Sequence, residues 1–225
     1  AQPPLLVDIA RIAELAEVTE DRDSVTLGAT ITHAAIEDGR VRDPTAGFLA
    51  RVAAGIGYRA VRTRGTIGGS LCHNDPASEM PLVANLVGAT LIARSASGER
   101  AIAADNFFKG NFETALHPNE LLVEIRVPIS PNGHGWSFQE VSQRKGDFAL
   151  VAAGAVLALD GGVCRQVRLG FRNVGATTFT VASGAGSFGR KRSSATSRSK
   201  VATPSTNVGT SRCGTASSSA KTLWK

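Results

Sequence analysis

The chain has 225 residues, 42% of them apolar and 20% charged, with three cysteines and a net charge of +6. This is the composition of an ordinary globular protein of one large or two small domains, and it excludes collagen-like and coiled-coil architectures. No apolar run approaches the roughly 20 residues of a membrane-spanning helix, and three scattered cysteines point to a reducing, cytoplasmic setting rather than a disulfide framework.

The charge is uneven. Residues 181–225 hold eight Lys and Arg and no acidic residue, so the rest of the chain is close to neutral. With no basic patch in the body, nucleic-acid binding by the fold is not expected. The N-terminus, AQPPLLVDIA, has neither the basic segment nor the cleavage site of a signal peptide. It also lacks a starting Met, so the chain is expected to begin inside a longer protein.

Residues 1–115 read as mixed α/β. Leu5–Ile9 and Val25–Leu27 are short strand candidates. Thr32 suits the N-cap of a helix. Phe48, Leu49, Val52, Ala53 and Ile56 recur at helical spacing and predict an amphipathic helix over 46–56. A glycine-bearing loop then leads to a second helix over 79–86. Residues 89–93 and 100–103 pair as strands around Ser97-Gly98.

Residues 116–176 read as an antiparallel sheet forming a second domain. Leu121–Val127 is β-rich, residues 136–143 roughly alternate, and a long apolar run, 148–159, stops at Asp160-Gly161-Gly162. Residues 163–172 then alternate again, so the Asp-Gly turn marks a hairpin. From 177 onward the character changes. The last 45 residues contain 11 Ser and 6 Thr, and hydrophobic periodicity vanishes. Such a segment cannot bury enough apolar surface to offset its ordering entropy, and disorder is expected over 177–225.

The chemistry lies in Thr66-Ile67-Gly68-Gly69-Ser70-Leu71-Cys72-His73-Asn74-Asp75-Pro76-Ala77-Ser78-Glu79-Met80-Pro81. Gly68-Gly69 permits positive φ and close backbone approach to a ligand. Successive N–H groups there form an anion nest for a phosphate, with the Thr66 and Ser70 hydroxyls alongside. Residues 75–79 read as a helix N-terminus adding positive potential, and Glu79 suits a ribose hydroxyl or an amino group. A plain glycine turn before a capped helix satisfies the same residues. Cys72-His73 lacks the further ligands of a metal site.

The run TIGGSLCHNDPASEMP resembles a flavin-binding signature of the medium, FAD-carrying subunit of molybdenum hydroxylases, the family of aerobic carbon monoxide dehydrogenase and xanthine dehydrogenase. His73-Asn74-Asp75-Pro76 favours the carbon monoxide dehydrogenase-like branch. Leu6–Ile9, Leu27-Gly28-Ala29 with Thr32-His33, Leu121–Pro128 and Arg144–Ala149 agree in collinear order over about residues 4–176. The resemblance implies an α+β fold, a type-2 FAD-binding subdomain of the vanillyl-alcohol-oxidase/MurB-like kind followed by a small antiparallel-sheet α+β domain.

It implies further that Thr66, Ile67, Gly68, Gly69 and Ser70 cradle the FAD pyrophosphate, with His73 and Asp75 on the same loop and Ser78 and Glu79 at the adenosine part. Ile56 packs near the nucleotide, while Leu122 and the region from Gln139 to Lys145 approach the flavin from the second domain. Lys145 stands as the local cation, since Gln139 occupies a position where xanthine dehydrogenases often carry lysine. The family's other flavin loop, A-G-G-[QH]-S, is expected ahead of Ala1. The family's apolar C-terminal helices give way here to the Ser/Thr/Arg tail, as a shifted reading frame would produce. The implied function is electron relay through FAD, between the iron–sulfur clusters of a small subunit that serves a molybdenum-cofactor large subunit and an external acceptor. The alternatives are a remnant of that subunit that does not retain FAD and a basic-tailed nucleic-acid-binding module.

Overall fold

The computed structural model describes residues 4–160 and 163–175, and the backbone of 179–183. In chain order the elements are β1 (Val18–Glu20), β2 (Ser24–Gly28), α1 (His33–Glu37), α2 (Phe48–Ala53), α3 (Arg59–Arg62), α4 (Ile67–His73) and α5 (Met80–Val87). Then follow β3 (Thr90–Ser95), β4 (Gly98–Ala103), α6 (Ala104–Phe107), β5 (Phe108–Gly110), β6 (Glu113–Thr114) and β7 (Leu121–Pro128). The last strands are β8 (His134–Val141), β9 (Val151–Asp160), β10 (Val163–Arg172) and β11 (Phe179–Ser183). The architecture is α+β with antiparallel sheets, as the sequence resemblance implies.

The first sheet has five strands in the order β1-β2-β7-β3-β4. Two hairpins, β1–β2 and β3–β4, dock on either side of β7, which pairs antiparallel with both. Sequence order groups Leu121–Val127 with the C-terminal sheet, yet β7 is the centre of the first. The reason is visible in the strand: Leu122 and Val123 are adjacent and both buried, so both faces are covered, as a central strand requires. One face carries the main core with Val25, Leu27, Leu91 and Ile125. The other is covered by a smaller cluster of Leu15, Ile92 and Val123. Residues 5–9 form no strand; Leu5, Leu6 and Val7 are exposed and make no ladder.

The second sheet has the order β11-β10-β9-β8. The expected hairpin is present, with Val163 opposite Asp160; Gly161 and Gly162 lie outside the described residues. Phe179–Ser183 pairs as a fourth strand with β10, although the sequence assigns it to the tail; the rest of that tail, from 184, lies outside the described residues. Strand registers place four cross-strand rows on the face turned to α5: His134–Ala158–Gln166, Trp136–Val156–Arg168, Phe138–Gly154–Gly170 and Glu140–Ala152–Arg172.

Between the sheets lies α5. Every residue from Met80 to Leu86 is buried. On one side α5 meets β7, α2, α4 and α6, and on the other β9 and β10. A Cβ at Gly154 would lie 2.3 Å from Leu86 Cδ1, and one at Gly170 2.6 Å from Leu82 Cδ1. These sheet glycines are the hollows into which the helix leucines fit. The helix stops at Gly88, whose left-handed backbone (φ 67°) closes the last turn onto Ala84 and Asn85.

This packing makes a testable prediction. Leu82→Ala is expected to cost about 2–5 kcal/mol and Gly170→Val about 1–3 kcal/mol. Because the two side chains contend for one space, the double variant regains at least about 1 kcal/mol over the sum. Urea unfolding of the four proteins checks it.

Candidate functional site

The signature segment is held by the strand-to-helix connection before α1. Ile67 N–H donates to Ile31 O, Gly68 N–H to Ala29 O, and His33 N–H to Gly65 O. The two segments bridge at Thr32 and Thr66. Each of these threonines caps the helix that follows it: Thr32 Oγ1 accepts from Ala35 N–H and Thr66 Oγ1 from Gly69 N–H. The glycine-bearing loop expected from the sequence is therefore α4 itself. Its caps and tertiary hydrogen bonds outweigh the poor helix propensity of two glycines.

The physical role of those glycines also differs from the sequence reading. Neither takes a positive φ. Gly68 is buried, and a Cβ there would lie 2.5 Å from Ala29 Cβ and 2.6 Å from Ala29 O. It is a packing glycine that lets α4 close onto the strand end. Gly69 is exposed, and a Cβ there would sit 2.9 Å from the capping Thr66 Oγ1. Nor is the turn an open nest of amides. The N–H groups of Ile67, Gly68, Gly69 and Ser70 all have partners within the chain. What it offers a ligand is a bare backbone surface at Gly69, flanked by the hydroxyls of Thr66 and Ser70. Ile67 points into the core.

Helix α4 ends at Asn74 in the left-handed conformation (φ 46°), which Asn tolerates better than most residues. Buried Asn74 Nδ2 donates to Gly110 O at 2.7 Å and Glu113 O at 2.9 Å, while its Oδ1 accepts from Arg172 Nη2 at 2.6 Å. Arg172 also donates to Asp75 O at 2.8 Å and lies over the Phe108 ring. The loop is thus fixed by the β5–β6 hairpin and by the end of β10. Sequence reasoning missed both Asn74 and Arg172; an arginine ending an otherwise alternating strand gives no local sign of its partner.

The residues that follow do not start a helix. Asp75 Oδ1 accepts from Ala77 N–H in a tight turn, and α5 begins only at Met80, with Pro81 in its first turn. Exposed His73 packs on the Phe112 ring and lies 3.9 Å from Asp75 Oδ2. Ser78 Oγ is buried with no hydrogen-bond partner among the described residues. Glu79 is buried, and desolvation, helped by the nearby carboxylates of Glu140 and Asp75, raises its pKa to about 7. Burial likewise pushes the Cys72 thiol up to about 11, which suits neither a nucleophile nor a metal ligand.

Other expected site residues lie apart from this turn. Leu122 sits in the core of the first sheet, on β7, rather than in the second sheet. Lys145 is exposed on the β8–β9 connection, where Gly146 rests against the Tyr58 ring and Gly57 O. That contact brings the lysine loop to the segment carrying Ile56, which packs on the main core. By alternation Gln139, opposite Ala153, lies on the face of β8 away from α5.

Glu79 gives a pH prediction. Its folded pKa lies above the unfolded value, so the unfolded state releases its proton first as pH rises. Stability is therefore expected to fall by on the order of 3 kcal/mol between about pH 4.5 and 7. Glu79→Gln removes that slope; urea midpoints at pH 5 and 8 for both proteins measure it.

Comparison with known proteins agrees with this architecture. Residues 1–130 match the family described as the FAD binding domain in molybdopterin dehydrogenase, and residues 136–197 match the CO dehydrogenase flavoprotein C-terminal domain. The caffeine dehydrogenase subunit beta of Pseudomonas sp. (strain CBB1) is 33% identical over 178 residues, covering 79% of this chain and 60% of that protein. The carbon monoxide dehydrogenase medium chain of Hydrogenophaga pseudoflava is 34% identical over 177 residues, covering 79% of this chain and 62% of that one. In the solved carbon monoxide dehydrogenase of that organism a chain superposes with a TM-score of 0.77 at 34% identity, covering 80% of this chain and 63% of its own length. The quinoline 2-oxidoreductase of Pseudomonas putida 86 gives 0.72 at 37% identity, with 80% and 62% covered. The chain thus spans about three fifths of the relatives it matches. No helix among the described residues is long and apolar enough to cross a membrane. With its first 130 residues matching that description and its fold shared with carbon monoxide dehydrogenase, the chain belongs to the family of FAD-binding domains of molybdopterin dehydrogenases.

Proposed function

We propose that the chain binds FAD at the Thr66–Glu79 segment and serves as the flavin-bearing, electron-relaying part of a molybdenum hydroxylase, beside a molybdenum-cofactor large subunit and an iron–sulfur small subunit. One observation carries this reading: an exposed, side-chain-free surface at Gly69, between the hydroxyls of Thr66 and Ser70, in a chain whose family is FAD-binding. The residues fit a dinucleotide. A pyrophosphate can lie directly on the Gly69 backbone only where no Cβ intervenes, and two hydroxyls stand ready as donors. Ser78 Oγ, without a partner among the described residues, and the protonatable Glu79 supply hydrogen bonds to adenosine hydroxyls a few residues on.

Bound FAD supplies reversible electron transfer, and the protein supplies binding, orientation and electrostatics. In this reading Thr66 and Ser70 donate to pyrophosphate oxygens, and Gly68 keeps α4 seated so that they face the ligand. His73 and Asp75 form the outer wall of the loop. Glu79, close to half-protonated at neutral pH, either donates to or accepts from a ribose hydroxyl. Ile56 would offer the cofactor an apolar surface, and Lys145 would lend a positive charge that favours the reduced flavin. Support for the partner subunits comes from the relatives, which include a subunit beta and a medium chain.

The test is a fluorescence titration of FAD into the purified chain, with riboflavin as control. FAD is expected to bind at least about a hundredfold tighter than riboflavin, because the second ligand lacks the pyrophosphate and adenosine. Gly69→Asp, which puts a carboxylate against the phosphates, removes binding without changing the circular dichroism. Equal affinity for the two flavins, or full binding by Gly69→Asp, overturns the reading; no binding of either favours a remnant that keeps the fold without the cofactor.

A further inference from the structure

A second concavity lies at the other end of α5. The helix is eight residues long, so its C-terminus is about 12 Å from the signature loop. There a cavity of about 250 Å³ opens between the last turn of α5, the 128–131 connection and the inner face of β8–β10. Leu86, Val87 and Val156 give it an apolar wall. Ser130 of the connection adds a hydroxyl, and the rest of the polar lining comes from two of the cross-strand rows: His134 and Gln166 flank Ala158 in one, and Arg168 stands beside Val156 in the next.

Two of these polar groups are unsatisfied. Arg168 Nε–H and His134 Nε2 are both buried and have no hydrogen-bond partner among the described residues. Buried groups of this kind are normally paired, and leaving them unpaired is costly. The charge of Arg168, by contrast, is already answered, because its Nη2 meets Asp105 Oδ2 at 2.5 Å. The cavity also abuts the carbonyl end of α5 at Gly88, which disfavours an added anion. Burial lowers the His134 pKa, which favours the neutral ring, whose Nε2 can accept or donate.

We propose that this cavity is a binding site for a small neutral molecule with an apolar body and a carbonyl or amide group. The carbonyl oxygen accepts from Arg168 Nε–H, the polar end is completed by His134 or Gln166, and the body packs on Leu86, Val87 and Val156. The site does not depend on flavin binding.

The test uses the whole chain and two isosteric probes, cyclohexanecarboxamide and cyclohexanecarboxylate, followed by NMR of the His134 ring and the Arg168 Nε–H, both at the cavity, with the exposed rings of His73 and His117 as internal controls. The amide is expected to shift His134 and the Arg168 Nε–H saturably and to bind about tenfold or more tightly than the carboxylate. Arg168→Met weakens the amide by at least about tenfold. Ala158→Leu, which fills the cavity and removes no polar group, abolishes the shifts while circular dichroism stays unchanged. Absence of saturable shifts at His134, equal binding of the two probes, or unchanged binding in a folded Ala158→Leu protein overturns the proposal.

Discussion

A helix with no face to water governs this structure. The residues from Met80 to Leu86 are all buried and all but Asn85 are apolar, so α5 must be enclosed largely by apolar surface, and two sheets supply most of it. The first does so through the core around β7, the second through hollows at Gly154 and Gly170 that receive Leu86 and Leu82. Close packing of this kind leaves little room for sliding. The position of α5 therefore sets where its two ends emerge: the segment proposed to hold FAD at the N-terminal end and a polar-lined cavity at the C-terminal end.

The signature loop needs more than the helix behind it. Asn74 ends α4 and reaches three backbone or side-chain partners, and Arg172 closes the set from the second sheet. A buried cation such as Arg172 is tolerated because its bonds to Asn74 and Asp75 and the Phe108 ring compensate for lost hydration. On the same inner row of the sheet lies Glu140, which works with burial to keep Glu79 protonated to near neutral pH. The second sheet thus shapes the electrostatics of a loop contributed by the first body.

Much of this was legible in the sequence where the signal is local. Thr32 reads as a cap from its position before an apolar periodic run and is one. The hairpins at Ser97-Gly98 and after Asp160 follow from alternation and turn residues. The run from Thr66 to Pro81 points to the family because sixteen consecutive residues carry the resemblance. What failed was non-local. Nothing near Leu121 says that β7 pairs with β2 and β3, since the partners lie far away in sequence; only the adjacent apolar pair Leu122-Val123 hints at a strand covered on both faces. The helix α4 was hidden by its glycines, whose low propensity is overridden by hydrogen bonds to Ala29 and Ile31. The open amide nest inferred from Gly68-Gly69 disappears for the same reason, because those amides already have partners. Glu140, Asn74 and Arg172 gain their roles only from strand register and chain reversal.

The central claim is that the exposed Gly69 face, held by α5 and the Asn74–Arg172 contacts, receives the pyrophosphate half of the cofactor. The most direct measurement is an NMR titration of the isotopically labelled chain with ADP, which has the adenosine and pyrophosphate but no flavin. The account predicts saturable shifts centred on Gly69, Ser70 and Ser78, with the lysine loop at 144–147 unmoved. Shifts confined to that loop or to other basic surface, with residues 66–79 unchanged, would contradict it.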